Sequence, residues 1–172
     1  YCFENKQTVN ITEKIPFSFT NTASRYSDTS FPFGLAGWSN KDQTVVFYDE
    51  FDLWEFNTQN FTTTRLTFGR EENKIYRLAN FKSEDYSIFD SKAHVLIPGQ
   101  NMVLNVKSID NSKSGFSFLD RKKNLKVIVY ESKFASNIKR CSDANHFIYL
   151  QEDFNSPPQI IIKRENKITS QS

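Results

Sequence analysis

The stretch Trp38-Ser39-Asn40-Lys41-Asp42-Gln43-Thr44-Val45-Val46-Phe47-Tyr48-Asp49-Glu50-Phe51-Asp52-Leu53-Trp54-Glu55-Phe56-Asn57 decides the fold. A Trp-Ser-x-x-Asp turn leads into the alternating strand Val45 to Tyr48. An acidic link, Asp49-Glu50-Phe51-Asp52, then leads into a second strand, Leu53 to Phe56. After a polar turn at Asn57 to Asn60, Thr62-Thr63-Thr64-Arg65-Leu66-Thr67 supplies a third. Short strands written consecutively in this way are the pattern of a β-propeller blade. Such a blade buries its faces only against neighbouring blades.

The rest of the chain repeats the phrase imperfectly: an apolar-aromatic strand, a polar Asn/Lys/Glu turn, then a short strand ending in Thr or Ser. The copies run from Tyr1 to Thr12, Leu53 to Thr67, Gly115 to Val129 and Ile160 to Ser170. Their spacing of roughly 45 to 60 residues is near the blade period of propellers. Met102 to Ile109 and His146 to Glu152 alternate at the strand period and would stand before the last two hairpins. Glu84 to Lys92 and Ser132 to Arg140 are polar and read as loops or a single helical turn.

The expectation is therefore an all-β chain, a partial β-propeller of about three to four blades of antiparallel strands. The outer strands of one blade lie at 1–14, and further blades at 31–70, 95–132 and 144–170. Composition agrees: seventeen Phe and seven Tyr, without periodic runs of helix formers, favour strands.

The 22 basic and 20 acidic residues are scattered, so the chain lacks the one-sided basic face of a nucleic-acid binder. No apolar run approaches the length of about 20 residues that spans a bilayer as a helix. Two His and two Cys have no zinc-ligand spacing, and no glycine-rich phosphate loop is present, so neither metal nor cofactor is expected. Cys2 and Cys141 lie far apart; one disulfide is possible, and two buried thiols are the simpler reading. The triplets Asn10-Ile11-Thr12 and Asn60-Phe61-Thr62 match the glycosylation sequon, which an Asn- and Thr-rich chain also produces by chance.

Single residues receive structural readings first. Pro32 and Gly34 to Gly37 suit an irregular lead into a blade, Trp38 would cover a blade interface, and Asp42 would cap a turn. The acidic link offers the candidate site: Asp49, Glu50 and Asp52 are the residues to hold a cation or a substrate amino group, against the plainer reading of a solvated loop. No Gly-x-Ser-x-Gly elbow occurs among the five glycines, and His94 and His146 read as strand residues, not general bases.

In order and spacing the chain resembles the propeller domain of the prolyl oligopeptidase family of serine peptidases, especially its bacterial dipeptidyl-peptidase-like and acylaminoacyl-peptidase-like members. The phrases that carry the resemblance are Val9 to Phe17, Phe31 to Trp38, Val46 to Trp54, Arg65 to Arg70 and Glu152 to Ile160. The resemblance implies a segment that gates or orients peptide substrate for an α/β-hydrolase domain in cis, with a periplasmic or secreted setting. In some members the propeller binds the substrate amino terminus, and the acidic link is the place to look for that contact. The catalytic triad would lie outside this chain. Half a propeller leaves open blade edges, so the chain by itself is expected to self-associate. The rival reading is a stand-alone secreted binding module without enzymatic activity, either a kelch-like propeller or a β-sandwich.

Overall fold

The computed structural model describes residues 8–21, 31–39, 43–79, 95–96, 101–120, 122–141, 146–164 and 169–170. A short antiparallel pair, β1 (Thr20–Asn21) and β2 (Phe31–Pro32), precedes three successive antiparallel meanders. The first contains β3 (Leu35–Ser39), β4 (Thr44–Tyr48), β5 (Leu53–Asn57) and β6 (Thr62–Arg65). A four-residue helical turn, α1 (Gly69–Glu72), leads to β7 (Lys74–Leu78), while β8 (Val95–Leu96) returns to pair in parallel with β3. The second meander joins β7 to β9 (Met102–Ser108), β10 (Ser114–Leu119) and β11 (Leu125–Glu131). The third consists of β12 (Phe134–Arg140), β13 (His146–Asp153) and β14 (Ser156–Arg164). β15 (Thr169–Ser170) goes back to β11, so one chain segment links the second and third sheets.

Both faces of the first and second sheets, and the inner face of the third, have an identifiable cover. On one face of the first sheet, Val45 pairs with Phe56 and Phe47 with Trp54, and Ile11, Ile15, Phe17 and Phe19 pack over them. The opposite face carries Ala36, Val46, Leu53 and Leu66, which meet Tyr76, Leu104, Val106 and Leu119 of the second sheet. The far face of that sheet places Val103, Phe116, Phe118 and Ile128 against Ala135, Ile138, Phe147 and Tyr149 of the third. Phe118 meets Phe147, and Phe116 meets Tyr149, edge to face at 5.8 Å. Meanders stacked in series, each apolar on two faces, are the organisation of propeller blades and not of a two-layer sandwich. The fold is all-β and propeller-like.

The quoted stretch forms β4 and β5 as read, and β3 has the irregular lead. Its register shifts between Leu35 and Gly37, and Gly34 sits at φ 102°. Other expectations need correction. Ser132 to Arg140 contains a seven-residue strand, because Ala135 and Ile138 point into the core across a bulge that breaks strict alternation. The last hairpin turns at Phe154 and Asn155, not within 160–170, since β14 pairs with β13 while β15 leaves for another sheet. The second meander begins at Lys74, ahead of the span 95–132, and β12 opens the third at Phe134, ahead of 144. Ile11 to Lys14 form a turn and no strand. Trp38 is 41% exposed, and the interior tryptophan is Trp54. Cys141 is an exposed free thiol, while Cys2, Asp42, His94 and Glu84 to Lys92 lie outside the described residues. Both sequon asparagines serve turns: Asn10 and Asn60 each accept from the backbone and hydroxyl of the Thr two positions on.

Gly115 shows how closely these strands approach. A Cβ there would lie 1.9 Å from the carbonyl oxygen of Val129 on β11. We expect Gly115→Ala to destabilise the chain by about 1–3 kcal/mol through overpacking. Urea unfolding measures it, and an unchanged midpoint would contradict the observed β10–β11 contact.

Candidate functional site

The acidic link between β4 and β5 is held by its own carboxylates. Asp49 Oδ1 accepts from the backbone N–H of Phe51 (2.8 Å) and Asp52 (2.6 Å), which closes the turn. Its Oδ2 accepts from the indole N–H of Trp54 at 3.1 Å and faces the Arg70 guanidinium at 3.5 Å. Asp52 reaches the other way. Its Oδ1 accepts from the Thr67 hydroxyl (2.7 Å) and the Gly69 N–H (2.5 Å), and its Oδ2 from Arg65 (2.5 Å). Thr67 Oγ1 in turn accepts from the Leu53 N–H.

Both aspartates are fully buried. A carboxylate can sit there only because each oxygen has donors in place. Neither oxygen pair is free for a metal or an amine, and the link is not the solvated loop that its composition suggested. Among the described residues no cluster of His, Cys, Asp and Glu is arranged to hold a metal ion. Gly69 is required at this point, because a Cβ would lie 2.3 Å from the Lys74 carbonyl and 3.2 Å from Asp52 Oδ1.

Three arginines complete the cluster. Arg65 binds Asp52 and Glu71 and lies over the rings of Phe68 (4.9 Å) and Phe17 (5.4 Å). Burial disfavours its charge, but the Glu71 and Asp52 carboxylates outweigh that and hold its pKa above the ordinary value. Arg70 is clamped between Phe17 (4.5 Å) and Phe51 (4.4 Å). Arg77 donates to the backbone carbonyls of Asp49, Glu50 and Tyr76 and lies 4.9 Å from the Tyr48 ring centre; burial lowers its pKa. The sequence reading singled out none of these cations. The signal was available in the charge balance, since three arginines follow three acids within 30 residues.

Of the three candidate acids only Glu50 is exposed. It borders a cleft of about 210 Å³ with Arg70, the rings of Phe17 and Phe33, and the polar side chains of Ser18, Thr20 and Asn21. His146, the one histidine among the described residues, accepts from Arg164 Nε at 3.1 Å and is remote from this cleft in the fold, on the third sheet.

No protein-family model and no curated protein matches the chain. Among solved structures it is similar to TolB from Acinetobacter baumannii, with 12% sequence identity and a TM-score of 0.43. That similarity covers 82% of this chain and 32% of the other, so the chain spans about a third of that protein's length.

Two expectations follow, one from the cluster and one from the carboxylates of the cluster and the turns of the second sheet. Replacing Asp52 by Asn leaves Arg65 without its buried partner, which should cost about 3–5 kcal/mol at neutral pH. Urea titration measures it, and a loss below about 1 kcal/mol would contradict the pairing. The second concerns acid. The Ser108 hydroxyl, with the backbone and hydroxyl of Ser112, holds Asp110 down to about 2. The Glu71 carboxyl is lowered by Arg65, and the Asp120 carboxyl by the Asn124 backbone and side chain. Folded values below unfolded ones give stability that is fully present above about pH 5 and is lost as pH falls through about 4 toward 2. Thermal unfolding across pH 2 to 7 tests this, with Asp110→Asn expected to flatten the acid limb.

Proposed function

We propose that the chain is a non-catalytic, propeller-type binding segment that holds a peptide by its amino terminus at Glu50. The supporting observation is the allocation of charge. Asp49, Glu50, Asp52 and Glu71 stand among Arg65, Arg70 and Arg77, four negative against three positive; the two exposed carboxylates are Glu71, which is paired with Arg65, and Glu50, which borders the cleft. An ammonium group placed on Glu50 completes the balance. Phe17 and Phe33 supply apolar walls, and Ser18, Thr20 and Asn21 supply polar partners for a peptide backbone. A cleft of about 210 Å³ has room for one or two residues of such a peptide, with the remainder outside.

The resemblance to the prolyl oligopeptidase family favours a finer reading. In it, the segment presents the bound peptide to an α/β-hydrolase domain whose seryl nucleophile performs acyl transfer outside this chain. The acidic link is then a device for orientation, with Asp49 and Asp52 as its frame and Glu50 as its contact.

Short peptides with free and acetylated amino termini, titrated by calorimetry or NMR, test the binding reading. We expect the free form to bind at least about tenfold more tightly, and the advantage to vanish in Glu50→Gln and above about pH 8, where the amine loses its proton. Equal affinity for both forms, or no binding by either, would sink it. The peptidase reading is tested separately by treating the source cell with a seryl-directed fluorophosphonate and capturing with an antibody against this chain. A captured but unlabelled polypeptide removes the hydrolase and leaves the binding segment.

A further inference from the structure

The outer face of the third sheet is apolar at its centre and has no cover among the described residues. Register places Leu150 beside Ile160, and Ile148 beside Ile162, on the face opposite Phe147 and Tyr149. Ile160 and Ile162 are 69% and 67% exposed. The same face is charged oppositely at its two ends. Glu152 lies at one end, and Lys139 and Arg164 at the other.

We infer that this face docks onto the same face of a second copy of the chain, with the strands of the two copies antiparallel. The distribution of charge selects that arrangement. A two-fold axis lying in the interface and perpendicular to the strands brings the isoleucines together and sets Glu152 of each copy against Lys139 and Arg164 of the other. An axis parallel to the strands would set like charges together. Sheet-on-sheet burial is already the mode by which the first sheet meets the second and the second meets the third, so the contact extends an existing series.

The size of the face sets the strength. Three strands of seven to nine residues, at about 3.3 Å per residue and 4.8 Å between strands, present roughly 25 by 14 Å. That is about 350 Å² per copy, below the standard size of specific interfaces and in the range of weak, transient ones, so the dimer is reversible, with a dissociation constant of roughly tens to hundreds of micromolar. This inference is independent of peptide binding at Glu50, which lies on the first sheet.

Sedimentation equilibrium of the 172-residue chain, with reductant present because Cys141 is exposed, tests the proposal. We expect a monomer–dimer equilibrium that Ile162→Glu weakens by at least about tenfold. Glu152→Arg should weaken it as well, and adding Lys139→Glu and Arg164→Glu to that variant should restore it. All of these positions are at least partly exposed, and circular dichroism checks that each variant keeps its strands. A chain that stays monomeric into the high-micromolar range overturns the inference. So does association that survives Ile162→Glu, or a reversed-charge variant that fails to recover.

Discussion

The second sheet is apolar on both faces, and that constraint governs the rest of the molecule. Leu104 and Val103 are neighbours on β9 and point in opposite directions, each almost fully buried. A sheet of this kind cannot leave either face in water, since each buried Leu or Phe contributes about 1.5–3 kcal/mol only while it is covered. The first and third sheets supply the cover. The first sheet then needs a cover of its own and obtains it from Ile11, Ile15, Phe17 and Phe19.

The acidic link joins that stack at the point where the chain passes from the first sheet to the second. Asp52 holds Thr67, Gly69 and Arg65, which are the end of β6 and the start of α1, so the helical turn is fixed and β7 is aimed into the second sheet. The Tyr76 N–H donates to the Phe51 carbonyl at 2.8 Å, a direct bond from the link to that sheet. Buried charge therefore does mechanical work at a joint. A loop whose two aspartates are locked in this way presents the intervening Glu50 in one position, which is the requirement for a preorganised contact.

Period-2 alternation in Val45 to Phe56 made the first sheet legible, because Trp54 and Phe56 alternate with Leu53, Glu55 and Asn57 along β5, and Val45 and Phe47 of β4 share the face of the two aromatics. β12 was not legible. The bulge between Ser136 and Lys139 shifts Ala135 and Ile138 out of simple alternation, and its polar residues resemble a loop until β13 is beside it. In the same way, the acids of the link were legible as a cluster, while their burial was not. Whether Asp49 meets water or Trp54 and Arg70 depends on residues up to 21 positions away.

By itself the sequence determined that the chain is all-β, where its clearest hairpins turn, and that its acids gather between β4 and β5, since these follow from neighbours along the chain. Tertiary structure decided which sheets stack, which face of the third sheet stays open, and which one of three acids reaches solvent. Those outcomes depend on contacts between segments distant in sequence. Burial can turn a carboxylate from a surface charge into an internal strut, with no change in the local sequence that encodes it.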